Sequence, residues 1–279
     1  MRLAGWLLAL SLPGCISDIA LDPMEGRTRY VIEGEIDCGS HARVLISRTQ
    51  PFFSIFGTSD LAGLVVDDAQ VFLSDGDTSE QLLFVIDTFY TDLPIYRSFR
   101  MRGEAGKIYK LTVRIGEEEY VAIDTIRKAI RPDTIRAVPS DGNDSLYFLH
   151  YRITDPPEYG NCYSISLKRT GKDDDFMNAP MVLFHDELFN GEVWEAPIFL
   201  PSSNFLSDRG LYFSAGETVV VKTRVISREI YDILEVAGYQ SLMAFNPFQN
   251  GQPVPTNLSG DVLGLWGAYG ISLDTVKIK

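Results

Sequence analysis

The feature that most constrains the fold is an alternation of apolar and polar side chains with a period of two residues. It is cleanest from Ile108 to Ile115, where Tyr109, Leu111, Val113 and Ile115 share one face and Lys110, Thr112 and Arg114 the other. Successive side chains of a β-strand point to opposite sides of the sheet, so such a run is a half-buried strand. Gly116-Glu117-Glu118 then turns the chain into a second run, Tyr120 to Ile126, and the two make a hairpin. Upstream, Tyr30, Ile32, Gly34 and Ile36 oppose Val31, Glu33 and Glu35, and similar runs occupy Ala42 to Arg48, Ala69 to Ser74 and Gln81 to Asp87. Six or seven short strands within about 100 residues predict an immunoglobulin-like or related β-sandwich over residues 28–130.

A turn-rich seam follows. Residues 131–144 hold Pro132 and Pro139 and end in Asp141-Gly142-Asn143-Asp144, a composition that places a linker there. Residues 145–279 predict a second β-rich domain, with strands at Leu146 to Ile153, Cys162 to Arg169, Met181 to Phe184, Val193 to Leu200 and Thr218 to Ile226. One helix is expected near 227–240, because Ser227 can cap it and Ile230, Ile233, Leu234 and Ala237 recur on one helical face. Two closing strands are expected around Gly264 to Tyr269 and Ile271 to Ile278. The chain is therefore mainly β, as its plentiful Tyr and Phe and its β-branched apolar runs also favour.

Ahead of the first strand, residues 1–14 read as an export signal. Arg2 precedes the apolar run Leu3 to Leu12, which is too short to cross a hydrocarbon core of about 30 Å as a helix. Leu12-Pro13-Gly14 then leads into Cys15, an order that resembles the bacterial lipobox cut ahead of a diacylglyceryl-cysteine. Pro13 departs from that pattern, where a small or β-branched residue is usual, and plain secretion with Cys15 as a free thiol is the alternative. Acyl chains such as palmitate on Cys15 would hold the chain on membrane lipid, with residues 15–27 as a tether. Loss of residues 1–14 removes one positive charge, so the formal charge goes from −13 to −13 − 1 = −14, which argues against nucleic acid as a partner and against an electrostatic grip on anionic lipid. Of the two remaining cysteines, Cys38 shares parity with core-facing Ile32 and Ile36, and Cys162 with Ser164, Ser166 and Lys168, which read as solvent-facing. That opposition argues against a disulfide even in an oxidising compartment.

No catalytic constellation is legible. There is no serine elbow and no cysteine–histidine pair at recognisable spacing, and His41, His150 and His185 are scattered. No cofactor motif occurs. Asp75, Asp77 and Glu80 place oxygen ligands at alternating positions of a kind calcium uses, but aspartate and glycine there are equally what a tight turn requires. Two loops are candidate recognition surfaces. One carries Phe52, Phe53, Ile55 and Phe56, the other Phe248 and Gln249; exposed they would meet a partner or ligand, while buried the first would plug one end of the sandwich and the second would strap the domain interface.

A set of segments in fixed order then resembles a known family. They are the lipobox, Tyr30-Val31-Ile32-Glu33-Gly34, Ser47-Arg48-Thr49, Tyr96-Arg97-Ser98, Gly106-Lys107-Ile108-Tyr109-Lys110-Leu111, Asp155-Pro156-Pro157, Asp186-Glu187-Leu188-Phe189-Asn190-Gly191, Ser227-Arg228-Glu229-Ile230-Tyr231 and Asn246-Pro247-Phe248. Together they resemble the Bacteroidetes lipoproteins classed as domain-of-unknown-function family 4249. The resemblance implies an outer-membrane lipoprotein; its body is expected on the cell surface in preference to the periplasmic face. It also implies an accessory or ligand-capturing partner of a TonB-dependent outer-membrane barrel, and the role expected here is a non-enzymatic one in nutrient uptake. It supplies no catalytic residues. Two other expectations stand beside it: a surface adhesin or envelope assembly component, and a hydrolase whose carboxylate pair meets only in space.

Overall fold

A computed structural model describes residues 28–49, 62–86, 93–140, 143–201, 211–243 and 253–279. Cys15, the signal, the tether and both candidate recognition loops lie outside these residues. The described chain is mainly β, with three sheets and a single α-helix.

The strands of the first half are β1 (Tyr30–Asp37), β2 (His41–Arg48), β3 (Gln70–Ser74), β4 (Ser79–Gln81), β5 (Leu83–Ile86), β6 (Pro94–Arg102), β7 (Ile108–Ile115) and β8 (Glu118–Thr125). The second half supplies β9 (Thr134–Ser140), β10 (Asn143–Thr154), β11 (Cys162–Arg169), β12 (Met177–His185), β13 (Val193–Ile198), β14 (Phe213–Ser214), β15 (Thr218–Ile226), α1 (Arg228–Met243) and β16 (Val262–Lys277). A four-stranded sheet, β4-β3-β7-β8, faces β1, β2 and β6 across one core, in which Ile32, Ile36 and Val44 meet Val71, Leu111 and Val113. This is the expected sandwich. A second core joins Leu149, Tyr151 and Ile153 of β10 to Tyr163, Ile165 and Leu167 of β11 and to Val219 and Val221 of β15.

The two halves are bound together by β16. Its first part runs parallel to β1, from Tyr30 against Val262 to Asp37 against Tyr269, and its second part antiparallel to β15, from Val225 against Gly270 to Thr218 against Lys277. One eight-stranded sheet results, ordered β12-β11-β15-β16-β1-β2-β6-β5. The expected pair of closing strands is thus one continuous strand. Gly270 does not break it; a Cβ there would stand 3.0 Å from Ala129 N, so the missing side chain admits a crossing segment of backbone. The early part of β16 also leaves the region 145–279 for the first core, where Trp266 is fully buried and donates Nε1–H to the Tyr109 carbonyl at 3.1 Å. The stretch expected as a linker, 131–144, carries β9, which pairs with β10 and sets Ile135 and Ala137 against the second core.

The helix forms where its face and cap place it, with Ile230 N–H donating to Ser227 Oγ at 3.2 Å. Its Ile230 and Ile233 pack on Cys162, Ile226 and Tyr269. That contact corrects the expectation for Cys162. Cys162 does share its face with Ser164 and Ser166, but that face is not solvent, since α1 covers this end of the sheet and leaves Cys162 with 0 % exposure. Cys38 is half-buried, and both thiols are free.

Candidate ligand-binding cleft

The same face of the eight-stranded sheet, beyond the end of α1, carries an ionic network. On β1, Glu33, Glu35 and Asp37 alternate with Ile32, Gly34 and Ile36, which face the core. On β15, Lys222 and Arg224 alternate with core-facing Val221 and Val225. β16 lies between these strands, yet the charges meet across it. Lys222 Nζ reaches Asp37 Oδ2 at 3.0 Å, and Arg224 reaches Glu35 at 2.7 Å and Asp37 at 3.1 Å. Arg43, directly opposite Glu35 on β2, closes the chain of charges with a further ion pair.

The sequence of β16 makes this reach possible. Opposite Glu35 stands Gly267, and opposite Asp37 stands Tyr269. A Cβ on Gly267 would lie 2.5 Å from Tyr269 Cε1, so only glycine lets the tyrosine fold back along its own strand. The Arg224 guanidinium then sits 4.5 Å above the Tyr269 ring, a cation–π contact that carries it over β16 toward the carboxylates. Lys222 is held similarly, 4.2 Å from the Phe176 ring.

Burial strengthens each partner's hold on the next. Burial alone would raise the pKa of Glu35, but Arg224 and Arg43 outweigh it and bring the carboxyl from 4.5 down to about 2. Lys222 is pushed down by burial and by neighbouring Arg224, against the pull of Asp37. Arg224 is raised, since Glu35 and Asp37 overcome its desolvation. Lys222 and Asp37 retain only 8 % and 7 % side-chain exposure, so both are desolvated ions that need one another.

Above the network is a cleft of two adjoining lobes that share Glu35, Arg43 and Asp175. One, of about 360 Å³, is walled by Leu45, Ile95, Ile226, Leu234 and Leu265. The other, of about 340 Å³, is walled by Arg97, Arg102, Lys168 and Lys222 with His41 and Phe176. Arg224 Nε is buried in the wall without a hydrogen-bond acceptor among the described residues. Such an arrangement can orient a polar molecule against an apolar surface.

The residues singled out by sequence lie elsewhere. Asp75 Oδ1 accepts from Thr78 N–H at 2.8 Å and Thr78 Oγ1 at 3.1 Å, while its Oδ2 takes Lys107 Nζ at 2.9 Å. Those bonds hold its carboxyl well below the usual range. Glu80 is buried and turns away to β6, where its carboxylate accepts from Phe99, Arg100 and Met101 N–H at 2.8, 3.0 and 2.6 Å. Asp77 is exposed at the turn. The calcium arrangement is therefore corrected to a turn and a strand clamp, because backbone donors already occupy the oxygens. Among the described residues no group of three or more histidine, cysteine or acidic side chains is placed to hold a metal.

Of the histidines, His41 alone borders the cleft; His150 faces Glu195 at 3.5 Å, and His185 accepts from Glu187 N–H. The motif acids are structural ties. Asp155 binds the Tyr163 hydroxyl and Gly191 N–H, and Asp186 accepts from Gly160 and Asn161 N–H, each at 2.8 Å. Sequence reasoning missed Glu35, Asp37, Arg43, Lys222 and Arg224, whose i, i+2 charges read as ordinary solvated strand faces. The signal was the complementarity of Glu33-x-Glu35-x-Asp37 with Lys222-x-Arg224, usable only once β16 is known to lie between them.

A family model described as Domain of unknown function (DUF4249) matches residues 16–273. No curated protein matches the chain.

Proposed function

We propose that this chain, which belongs to the DUF4249 family, is a non-enzymatic protein anchored by acylated Cys15 in the outer membrane of a Bacteroidetes cell. There it captures a ligand for a TonB-dependent transporter. The observation that carries the capture reading is the cleft itself, whose walls come from β1, β2 and β6 of one half and β11 and β15 of the other, clamped together over β16. A wall built of fixed ion pairs orients a bound molecule without having to reorganise. The leader pattern from Arg2 to Cys15 supports the anchor, and no described helix is long and apolar enough to cross a membrane.

The test is expression with the leader intact in a Bacteroidetes host, followed by labelling with palmitate and extraction in mild detergent. Label and membrane fraction should both be lost in Cys15→Ala, and a barrel should co-purify with the wild type. A chain that leaves the cell unlabelled, or that always purifies alone, contradicts the anchor or the transporter respectively. A second reading, an adhesin or envelope assembly component, is favoured by one feature: edge strand β5 exposes Leu83 and Ile86 by 56 % and 70 %.

A further inference from the structure

We infer that the ligand of the cleft is an amphipathic acid, a molecule with an apolar body and a terminal carboxylate. This rests on the capture reading above and adds the chemical class. Across both lobes the lining holds six cationic side chains (Arg43, Arg97, Arg102, Lys168, Lys222, Arg224) and four carboxylates (Glu33, Glu35, Asp37, Asp175), a balance of 6 − 4 = +2 in a chain whose formal charge is −13. A positive basin in so acidic a molecule draws anions selectively to that place.

The charges are not spread evenly. Glu35 and Asp37 are already neutralised by Arg43, Arg224 and Lys222. Among the described residues, neither Arg102 nor Lys168 is in an ion pair, Lys168 acting on Asp173 only from beyond contact distance; Arg102 donates to the Gly39 carbonyl and Lys168 to the Asp174 carbonyl. A carbonyl leaves a cation's charge uncompensated, so these two, in the same lobe, are the anchors for an anionic group. The neighbouring lobe sets Leu45, Leu234 and Leu265 beside Glu33, Ser164, Asp175 and Asn178, and its leucine side is the surface that takes an apolar body. The two lobes meet at Glu35 and Arg43, so one elongated molecule can occupy both.

Fatty acids and peptide C-termini share this chemistry. The experiment is calorimetric titration of the full mature chain with octanoate and with acetyl-Leu-Leu, against octanol, which lacks the charge, and acetate, which lacks the body. At least one of the two amphipathic acids should bind roughly tenfold or more tightly than both controls. The tighter acid identifies the source, an acyl chain or a peptide end. Arg102→Glu and Lys168→Glu should each weaken that acid roughly tenfold while leaving octanol unchanged, with the melting temperature reporting that the variants are folded. Equal binding of octanoate and octanol, no binding of either acid, or charge-reversed variants with wild-type affinity overturns the assignment. Ligand capture would still stand in any of these cases if the chain extracted from its own membrane carries a bound molecule of another class.

Discussion

Gly267→Ala isolates the element on which the cleft depends. The substitution adds one methyl group at a position whose backbone imposes no left-handed strain, so its whole effect comes from the overlap of the new Cβ with the Tyr269 hydroxyl and ring, whose Cε1 it would approach to 2.5 Å. Tyr269 is almost fully buried and cannot yield without moving its neighbours. Overpacking of this kind destabilises by about 1–3 kcal/mol. Displacing the ring also removes the Arg224 stack at 4.5 Å, worth about 1 kcal/mol for a partly buried pair. The sum, roughly 2–4 kcal/mol, corresponds to a melting temperature lower by about 4–16 °C for a chain of this size. A thermal melt of the mature protein reads the loss. The double variant with Tyr269→Ala identifies its cause, since removing the ring should abolish nearly all of the penalty of the added methyl. A variant that melts within about 1 °C of wild type, or a penalty that persists without Tyr269, refutes the reasoning.

Three further outcomes follow from the same geometry. Because Glu35 titrates at about 2 in the fold instead of 4.5, the unfolded chain takes up the proton first on acidification. About 3 kcal/mol of stability, present above pH 4.5, should therefore disappear between 4.5 and about 2, and Glu35→Gln should flatten that part of a pH–denaturant profile. Glu80→Ala strands three backbone N–H groups of β6 and should lower stability by about 3 kcal/mol in urea, while added calcium leaves the wild-type melt unchanged. Burial, the main influence on Cys162, pushes its thiol up to about 11, so an aromatic disulfide reagent at pH 8 should modify half-buried Cys38 well before Cys162 unless the chain is unfolded.

Local pattern made some elements legible and long-range placement concealed others. Strand β7 lies where Tyr109, Leu111 and Val113 alternate with Lys110, Thr112 and Arg114, because one face is buried and the other wet. The helix follows Ser227 because capping and a single apolar face are local signals. By contrast β16 reads as two strands, since Gly264, Gly267 and Gly270 resemble turn punctuation; Gly267 and Gly270 in fact admit a tyrosine and a crossing backbone. Cys162 reads as exposed because nothing in its own strand tells that a helix some 65 residues on will cover it. The cleft fails for the same reason. Glu35 and Asp37 lie 185 or more residues from Lys222 and Arg224, and no spacing rule reaches that far.

The most direct test of capture in the cleft is native mass spectrometry of the full chain extracted from its own membrane, compared with Leu45→Trp. Leu45 is half-buried in the wall of the apolar lobe and outside the ionic network, so tryptophan fills the lobe without breaking an ion pair. The wild type should carry a bound small molecule and the variant, melting as the wild type does, should carry none. The same adduct on both proteins, or on neither, would contradict the account.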